Sequence, residues 1–442
     1  MQIIQWTSLT PDQQDTCLAR PAAQAAVAAG ETVARIFADV RANGDAAVRR
    51  LRRELDDVTD ERLCLRVPDL PDDQAGLSAA DRDAIAVAGA NIKRFHNATR
   101  DPAGATSPEI ETAPGVTCWQ VMRPIDTVGL YVPGGSAPLL STLLMLAIPA
   151  KIAGVGKIVM ATPPRGVDLI DPAMAYAARD CGIEEIYPVG GAVAIAAMTW
   201  GTETIPRVDK IFGPGNIYVD AAKRFAANLP GGPAIDLPGG PSEVLVLADD
   251  SATAEFVAAD LLAQAEHDAM AQVMLATTSA RLADEVAAEL RRQLVGLPRR
   301  KIAQASLENG RIIILPDMKS GVELANRYAP EHLILALDNP RGMVAEISNA
   351  GSIFLGHWSP ETAGDFASGT NHVLPTGGGA RAHGGLSVAS FMKSVTVQEL
   401  TEKGLLGLAP TLERLAELEG LDAHRNAVAV RTARLRQEGF AA

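Results

Sequence analysis

The chain has 442 residues, more than one hydrophobic core normally serves, so two or more domains are expected. A net charge of -13 argues against a nucleic-acid partner, which needs clustered Lys and Arg. Apolar residues make up 47 % of the chain but aromatics only 4 %, so small aliphatic side chains must pack the cores, which fits an α/β protein better than a lectin-like or base-stacking surface.

In chain order, Met1-Gln2-Ile3-Ile4-Gln5 lacks a basic stretch followed by an apolar run. No signal peptide is read there, and a soluble, cytoplasmic protein is expected. Residues 20–100 read as helices, with Asn43-Gly44-Asp45 as a stop followed by a fresh N-cap. The stretch Arg49 to Arg66 carries both signs of charge and reads as a solvated helix face. Thr127 to Ala150 is long and uncharged, but Pro133, Gly134, Gly135, Pro138 and Pro149 interrupt it. A glycine-rich loop and a short buried helix are expected there, not a membrane span.

From Lys157 the pattern changes to short apolar runs: Lys157–Ala161, Glu185–Val189, Lys210–Phe212, Val244–Ala248, Val273–Thr277, Ile312–Leu315, Leu333–Leu337 and Ile353–Leu355. Helical stretches such as Pro172–Asp180 and Thr253–Glu266 separate many of them. That alternation predicts parallel sheets covered by helices, in two α/β units. After Ser390 the chain returns to helix. Cys17, Cys64, Cys118 and Cys181 form no CxxC and read as free thiols in a reducing compartment.

No dinucleotide fingerprint is present, because Gly154-Val155-Gly156 precedes a strand instead of following one. Other glycine clusters sit where loops should be: Pro133-Gly134-Gly135-Ser136, Gly190-Gly191, Gly213-Pro214-Gly215-Asn216 and Gly239-Gly240-Pro241-Ser242. Each alone reads as a tight turn, whereas four at strand ends favour a ligand crevice. They do not name its ligand.

Gln264 and His267 are three apart near the end of a predicted helix, placed to chelate a metal or simply to decorate a helix C-terminus. Glu331-His332 precede a buried run, where they divide base and acid work or form a solvated loop pair. Asp365 falls in a polar, glycine-punctuated stretch read as a functional loop. His424, on a late helix, reads by itself as a surface histidine. Neither HExxH nor GxSxG occurs, which argues against the common hydrolase arrangements.

Several ordered stretches resemble the histidinol dehydrogenase family over nearly the whole chain. They are Val128-Gly129-Leu130-Tyr131-Val132-Pro133-Gly134-Gly135, Lys210-Ile211-Phe212-Gly213-Pro214-Gly215-Asn216, Gly240-Pro241-Ser242-Glu243-Val244, Gln264-Ala265-Glu266-His267, Pro330-Glu331-His332-Leu333, Ser368-Gly369-Thr370-Asn371-His372-Val373-Leu374-Pro375-Thr376 and His424-Arg425-Asn426-Ala427. The resemblance implies oxidation of L-histidinol to L-histidine through the aldehyde, with zinc bound and two NAD reduced. It implies an α/β fold of two incomplete Rossmann-like domains with parallel sheets, plus small helical N- and C-terminal segments. The division implied is 1–26, 27–132 with 240–385, 133–239, and 386–442. It also implies a homodimer in which the C-terminal helices reach the neighbour's active site.

Carried over by position, Gln264, His267, Asp365 and His424 are the implied zinc ligands. Ser242, His332, His372 and Glu419 contact substrate, and Glu331 and His332 do the proton chemistry. Tyr131, Asn216 and position 193 are at the cofactor. Val193 stands where the family usually has glutamine, and Gly239 where it usually has alanine. The ligand nitrogens must be unprotonated to hold a metal, so activity is expected to rise above neutral pH. The rival readings are a related zinc dehydrogenase for a small sulfonated diol, a non-catalytic metal- or nucleotide-binding protein, and a cofactor-free zinc hydrolase. The retained Glu419 and Glu331-His332 favour histidinol.

Overall fold

A computed structural model describes residues 1–20, 25–70, 77–100, 107–134, 139–166, 168–237 and 239–440. Gly135, Ser136 and Pro138 of the expected glycine-rich loop lie outside them. The strands are β1 Gln2–Gln5, β2 Leu65–Arg66, β3 Ile110–Ala113, β4 Val116–Pro124 and β5 Thr127–Tyr131. They continue with β6 Lys157–Thr162, β7 Glu185–Pro188, β8 Lys210–Phe212, β9 Ala234–Ile235 and β10 Glu243–Ala248. The last are β11 Gln272–Thr277, β12 Arg311–Ile314, β13 His332–Ala336, β14 Ser352–Leu355 and β15 Met392–Leu400.

Residues 1–99 and 125–391 form one compact unit. It holds two six-stranded sheets, so the α/β class with parallel sheets is observed. The first runs β1-β12-β11-β10-β13-β14 and is parallel throughout. The second runs β2-β7-β6-β5-β8-β9 and is parallel except at its β2 edge. Every residue of β10, β11 and β13 is buried, as expected where helices cover both faces. The covering helices show clear local logic. Ser279 caps Ala280–Leu294, whose Leu282, Ala283, Val286 and Leu290 make one apolar stripe against the first sheet. Asp171 caps Pro172–Asp180, with Pro172 at the first position.

Strand pairing corrects the expected grouping of 27–132 with 240–385. β5 pairs in parallel with β6 and β8, at the centre of the second sheet. Val128 to Tyr131 is an apolar run buried on both faces, and such a strand needs a parallel neighbour on each side. The long helix Ala25–Asp56 also packs there, through Val33, Phe37, Val40 and Val48. It breaks at Gly44 (φ 49°, ψ -132°), as Asn43-Gly44-Asp45 foretold. The N-terminal segment contributes a strand, β1, as well as the helix Pro11–Leu18.

Residues 100–124 and 392–442 form the second unit. It has an antiparallel sheet β15-β4-β3 and the helices Glu402–Leu418 and Asp422–Gln437. The return to helix after Ser390 is therefore preceded by a nine-residue strand. No helix among the described residues is long and apolar enough to cross a membrane.

Candidate active site

Glu331 and His332 sit at the start of β13, a central strand, and both are buried, at 6 % and 4 % exposure. The solvated-loop alternative is thereby set aside. Glu243, the first residue of β10, fixes both through its backbone. Its N–H donates to Glu331 Oε2 at 2.9 Å, and its carbonyl oxygen lies 3.1 Å from His332 Nδ1. A carbonyl can only accept, so Nδ1 carries a proton and the neutral ring keeps its lone pair on Nε2. Nε2 has no hydrogen-bond partner among the described residues and lies 3.6 Å from Asp365 Oδ1.

Asp365 is in the short helix Glu361–Phe366, not in a loop. That helix places Glu361 one turn before Asp365, on the same face. Glu361 is 1 % exposed, 3.7 Å from His332 Nδ1, and neither of its carboxylate oxygens has a partner. Ligand atoms of His332, Glu361 and Asp365 lie within 4.8 Å of one another. Sequence reasoning missed Glu361. The available signal was an acid four residues before Asp365, directly after Pro360 at a helix start.

Gln264 ends the helix Ala254–Ala265, fully buried, with both amide atoms unpartnered. His267 follows in a turn, its N–H donating to the Gln264 carbonyl at 3.2 Å, and its side chain is exposed. The pair thus straddles the helix end: Gln264 is fully buried, and His267, exposed as a residue, has an imidazole desolvated by its surroundings and within electrostatic reach of Asp365 and His332. His372 donates from Nδ1 to the Asp365 carbonyl at 2.8 Å and accepts from the Thr142 hydroxyl at Nε2, 3.1 Å. Ser242 precedes β10, and its carbonyl takes the Gln272 N–H at 3.0 Å. Glu419 and His424 belong to the second unit and are exposed. Glu419 caps Glu402–Leu418 and His424 lies in the first turn of Asp422–Gln437.

The electrostatics are those of a site short of positive charge. Burial disfavours charge on His332, but Glu361, Glu331 and Asp365 outweigh it and push its pKa up to about 10. Burial, partly offset by His332, lifts Glu331 to about 7. Burial also raises Glu361 well above the carboxylate range. Asp365 stays below its ordinary value: against the opposing desolvation, the His332 imidazole beside it, with His372 and His267, favours its ionised form. His267 and His372 are both lowered, chiefly by desolvation, and so are neutral near pH 7. A buried polar atom without a partner costs about 1–3 kcal/mol; three are on His332 and Glu361, and two more are on Gln264, whose helix packs against Glu361–Phe366. Neutral nitrogens, a carboxylate held ionised and an orphaned amide are the donor set of a divalent cation such as zinc.

The carboxyl ends of the second sheet carry the glycines. Gly213 has φ 122°, and a Cβ there would lie 2.0 Å from the Tyr131 carbonyl oxygen. Gly191 opens the helix Gly191–Trp200 at φ 58°, with no atom within 4 Å of a Cβ position. Tyr131 is buried and its hydroxyl accepts the Gly191 N–H at 3.0 Å. Asn216 is exposed and caps Ile217–Ala227, accepting from Tyr218 and Val219. Val193 packs in the apolar cluster beneath this edge and offers no polar group. Lys223 and Asp236 form a buried ion pair at 2.5 Å. Lys223 also donates to the Gly213 carbonyl, and the Gly213 N–H donates to Asp236.

A buried acid–base pair beside a metal-type donor set, in a chain with a second, glycine-lined sheet edge, matches known proteins closely. The family model described as histidinol dehydrogenase matches residues 18–432. The chain belongs to the histidinol dehydrogenase family. It is 49 % identical over 439 residues to "Histidinol dehydrogenase" of Vibrio vulnificus (strain CMCP6), covering 99 % of this chain and 100 % of that one. It is 48 % identical over 436 residues to that of Escherichia coli (strain K12), covering 99 % of each. The crystal structure of histidinol dehydrogenase from Elizabethkingia anophelis superposes with a TM-score of 0.91 at 44 % identity, covering 99 % of both chains. Members of this family are oxidoreductases, and this chain is one.

Proposed function

We propose that the protein oxidises L-histidinol to L-histidine through L-histidinal, a four-electron reaction with bound zinc and two NAD. The observation that carries the reading is the buried Glu331–His332 pair with the unpartnered carboxylate of Glu361 and the carboxylate of Asp365 beside it. Gln264, His267 and Asp365 would hold the zinc, with His424 as fourth ligand supplied across a homodimer, in which Glu419 also meets substrate. Zinc, when bound, supplies positive charge that anchors the substrate's nitrogens and drives the proton off His332. NAD, when bound, accepts the hydride. Tyr131 and Asn216 serve it by shaping the starts of two helices whose N–H groups favour its phosphates.

The protein groups divide the work by position. His332 takes the hydroxyl proton at Nε2 as the carbinol carbon is oxidised. Its Nδ1–H stays on the Glu243 carbonyl, so the ring does not rotate as it charges. Glu331, poised near pH 7, then draws a proton from water attacking the aldehyde carbon. Having released the first proton to solvent, His332 is again neutral at Nε2 and accepts one proton from the hydrate as that is oxidised. His372, held by Thr142 and Asp365, and Ser242 orient the substrate. A reducing, cytoplasmic setting suits the four free cysteines.

Steady-state turnover with L-histidinol and NAD, before and after chelation and zinc return, tests the reading. NADH formed at two per histidinol, lost on chelation and restored by zinc, is expected. NADH from another alcohol but none from histidinol overturns the substrate. Undiminished turnover after verified metal removal overturns the role of zinc.

A further inference from the structure

Glu243 is the hub of the acid–base pair, yet the strand ladder does not hold it on that side. Pairing between β10 and β13 begins one residue later, at Val244 with His332. The Glu243 N–H and carbonyl go instead to the Glu331 carboxylate and the His332 ring. What fixes Glu243 there is its own side chain, which is 3 % exposed. Arg20, from the N-terminal segment, forks onto that carboxylate: Nε to Oε1 at 2.5 Å and Nη2 to Oε2 at 2.9 Å. The Gly377 N–H donates to Oε1 at 2.9 Å.

Arg20 also reaches the other side of the pair. Its Nη2 donates to the Tyr328 carbonyl at 2.9 Å, and its guanidinium lies 4.2 Å above the Tyr328 ring. Tyr328 ends the helix Met318–Tyr328, three residues before Glu331. Its hydroxyl donates to Gln272, which donates back to the Ala19 carbonyl beside Arg20. One side chain therefore ties the start of β10 to the turn that delivers Glu331. The other residues of β10 are apolar, so a carboxylate at its head is costly unless it is anchored and used.

We infer that Arg20 is a positioning residue for the proton-transfer pair, acting through Glu243. The inference rests on the reading of Glu331 and His332 as the proton-transfer groups. Arg20 bonds neither Glu331 nor His332; it acts on them through Glu243, with its hold on Tyr328 steadying the turn before Glu331. Its loss lets the peptide of Glu243 shift, and with it both the Glu331 carboxylate and the His332 ring.

The test uses the full-length, zinc-loaded enzyme with L-histidinol and saturating NAD. Arg20→Gln is expected to lower kcat by about tenfold to a hundredfold, the range for a small misplacement of reacting groups. KM for L-histidinol is expected to stay within about threefold, since ground-state contacts are untouched. The solvent deuterium isotope effect on kcat should rise, because proton transfer becomes slower than the other steps. Arg20→Lys keeps the charge but not the fork, so it should recover part of kcat. Unchanged kcat overturns the inference. So does a fall in kcat that only tracks the folded fraction, with the isotope effect unmoved. If Arg20→Gln does not fold, the isotope effect of Arg20→Lys decides in the same way. A His332→Asn control that turns over normally sinks the assignment of the pair itself. If that control is inactive and Arg20→Gln is normal, only the positioning role fails.

Discussion

The two parallel sheets treat buried charge at their carboxyl-side loops and strand heads in opposite ways. Beside the second sheet, Lys223 and Asp236 are buried, paired, and bonded in addition to both peptide groups of Gly213. Beside the first, Glu331, His332, Glu361 and Gln264 are equally buried, yet Gln264, Glu361 and Nε2 of His332 are left with unpartnered atoms. The first arrangement spends charge on holding a loop in a shape only glycine allows. The second holds charge in readiness for something not made of protein. Burial alone does not separate a structural pair from a reactive one; the number of unanswered lone pairs and protons does.

The contrast breaks first at His332. His332→Asn should cut turnover by about a hundredfold to ten-thousandfold while zinc content stays at wild-type level, since general base catalysis is lost and no metal ligand is. Atomic absorption of the dialysed variant checks this; loss of zinc would make His332 a ligand, as its closeness to Asp365 and Glu361 also allows. On the other sheet, Lys223→Met should cost about 3–5 kcal/mol of stability by stranding Asp236, measured by urea unfolding. Adding Asp236→Leu should restore most of it, which is the signature of a structural pair.

Gln264→Met sharpens the comparison because two signs must differ. Metal affinity should fall by at least tenfold, as for lost support at a metal site. The metal-free protein should become more stable by about 1 kcal/mol, as two buried polar atoms without partners are removed. Melting curves with and without chelator read both. The smallest effect belongs to Tyr131→Phe, which should lose about 1 kcal/mol with the bond from Gly191. Burial raises the Tyr131 hydroxyl to about 12, so the wild-type protein binds its phenolic proton more tightly folded than unfolded. Wild-type stability from this group therefore falls as pH climbs from about 10 to 12. The gap between wild type and variant should narrow over that window.

Much of the fold was legible because continuous apolar runs have few places to go. Lys210–Phe212 and Pro172–Asp180 were read to the residue, and Gly44 was read as a helix break. β5 was not, because Thr127–Tyr131 merges into a glycine- and proline-interrupted apolar stretch with no boundary of its own. β15 was not, because its exposed, alternating Lys393 to Glu399 carries no burial signal. At the site, spacing suggested Gln264 with His267, but it did not show that Gln264 is fully buried while His267 follows the helix in a turn. Glu361 escaped notice because one more acid in a chain with 53 acidic residues means little until it is buried beside an imidazole. That juxtaposition is tertiary: residues 243, 331 and 332 meet only once β10 and β13 lie side by side, and Glu361 reaches them from a separate helix.

β1 sets a schedule for synthesis. Gln2–Gln5 comes before every other described strand in the chain, yet its partner is Arg311–Ile314. At translation speeds of about 5–20 residues per second, the strand waits roughly 15–60 s for the ribosome to deliver that edge. For that interval Ile3 and Ile4 are loose on the nascent chain, available to any chaperone or neighbouring polysome product that offers a free strand. Adding this edge strand to its sheet is thus a late event relative to its own synthesis, and an extension fused to Met1 would lie beside a seam that cannot form before Ile314 is made.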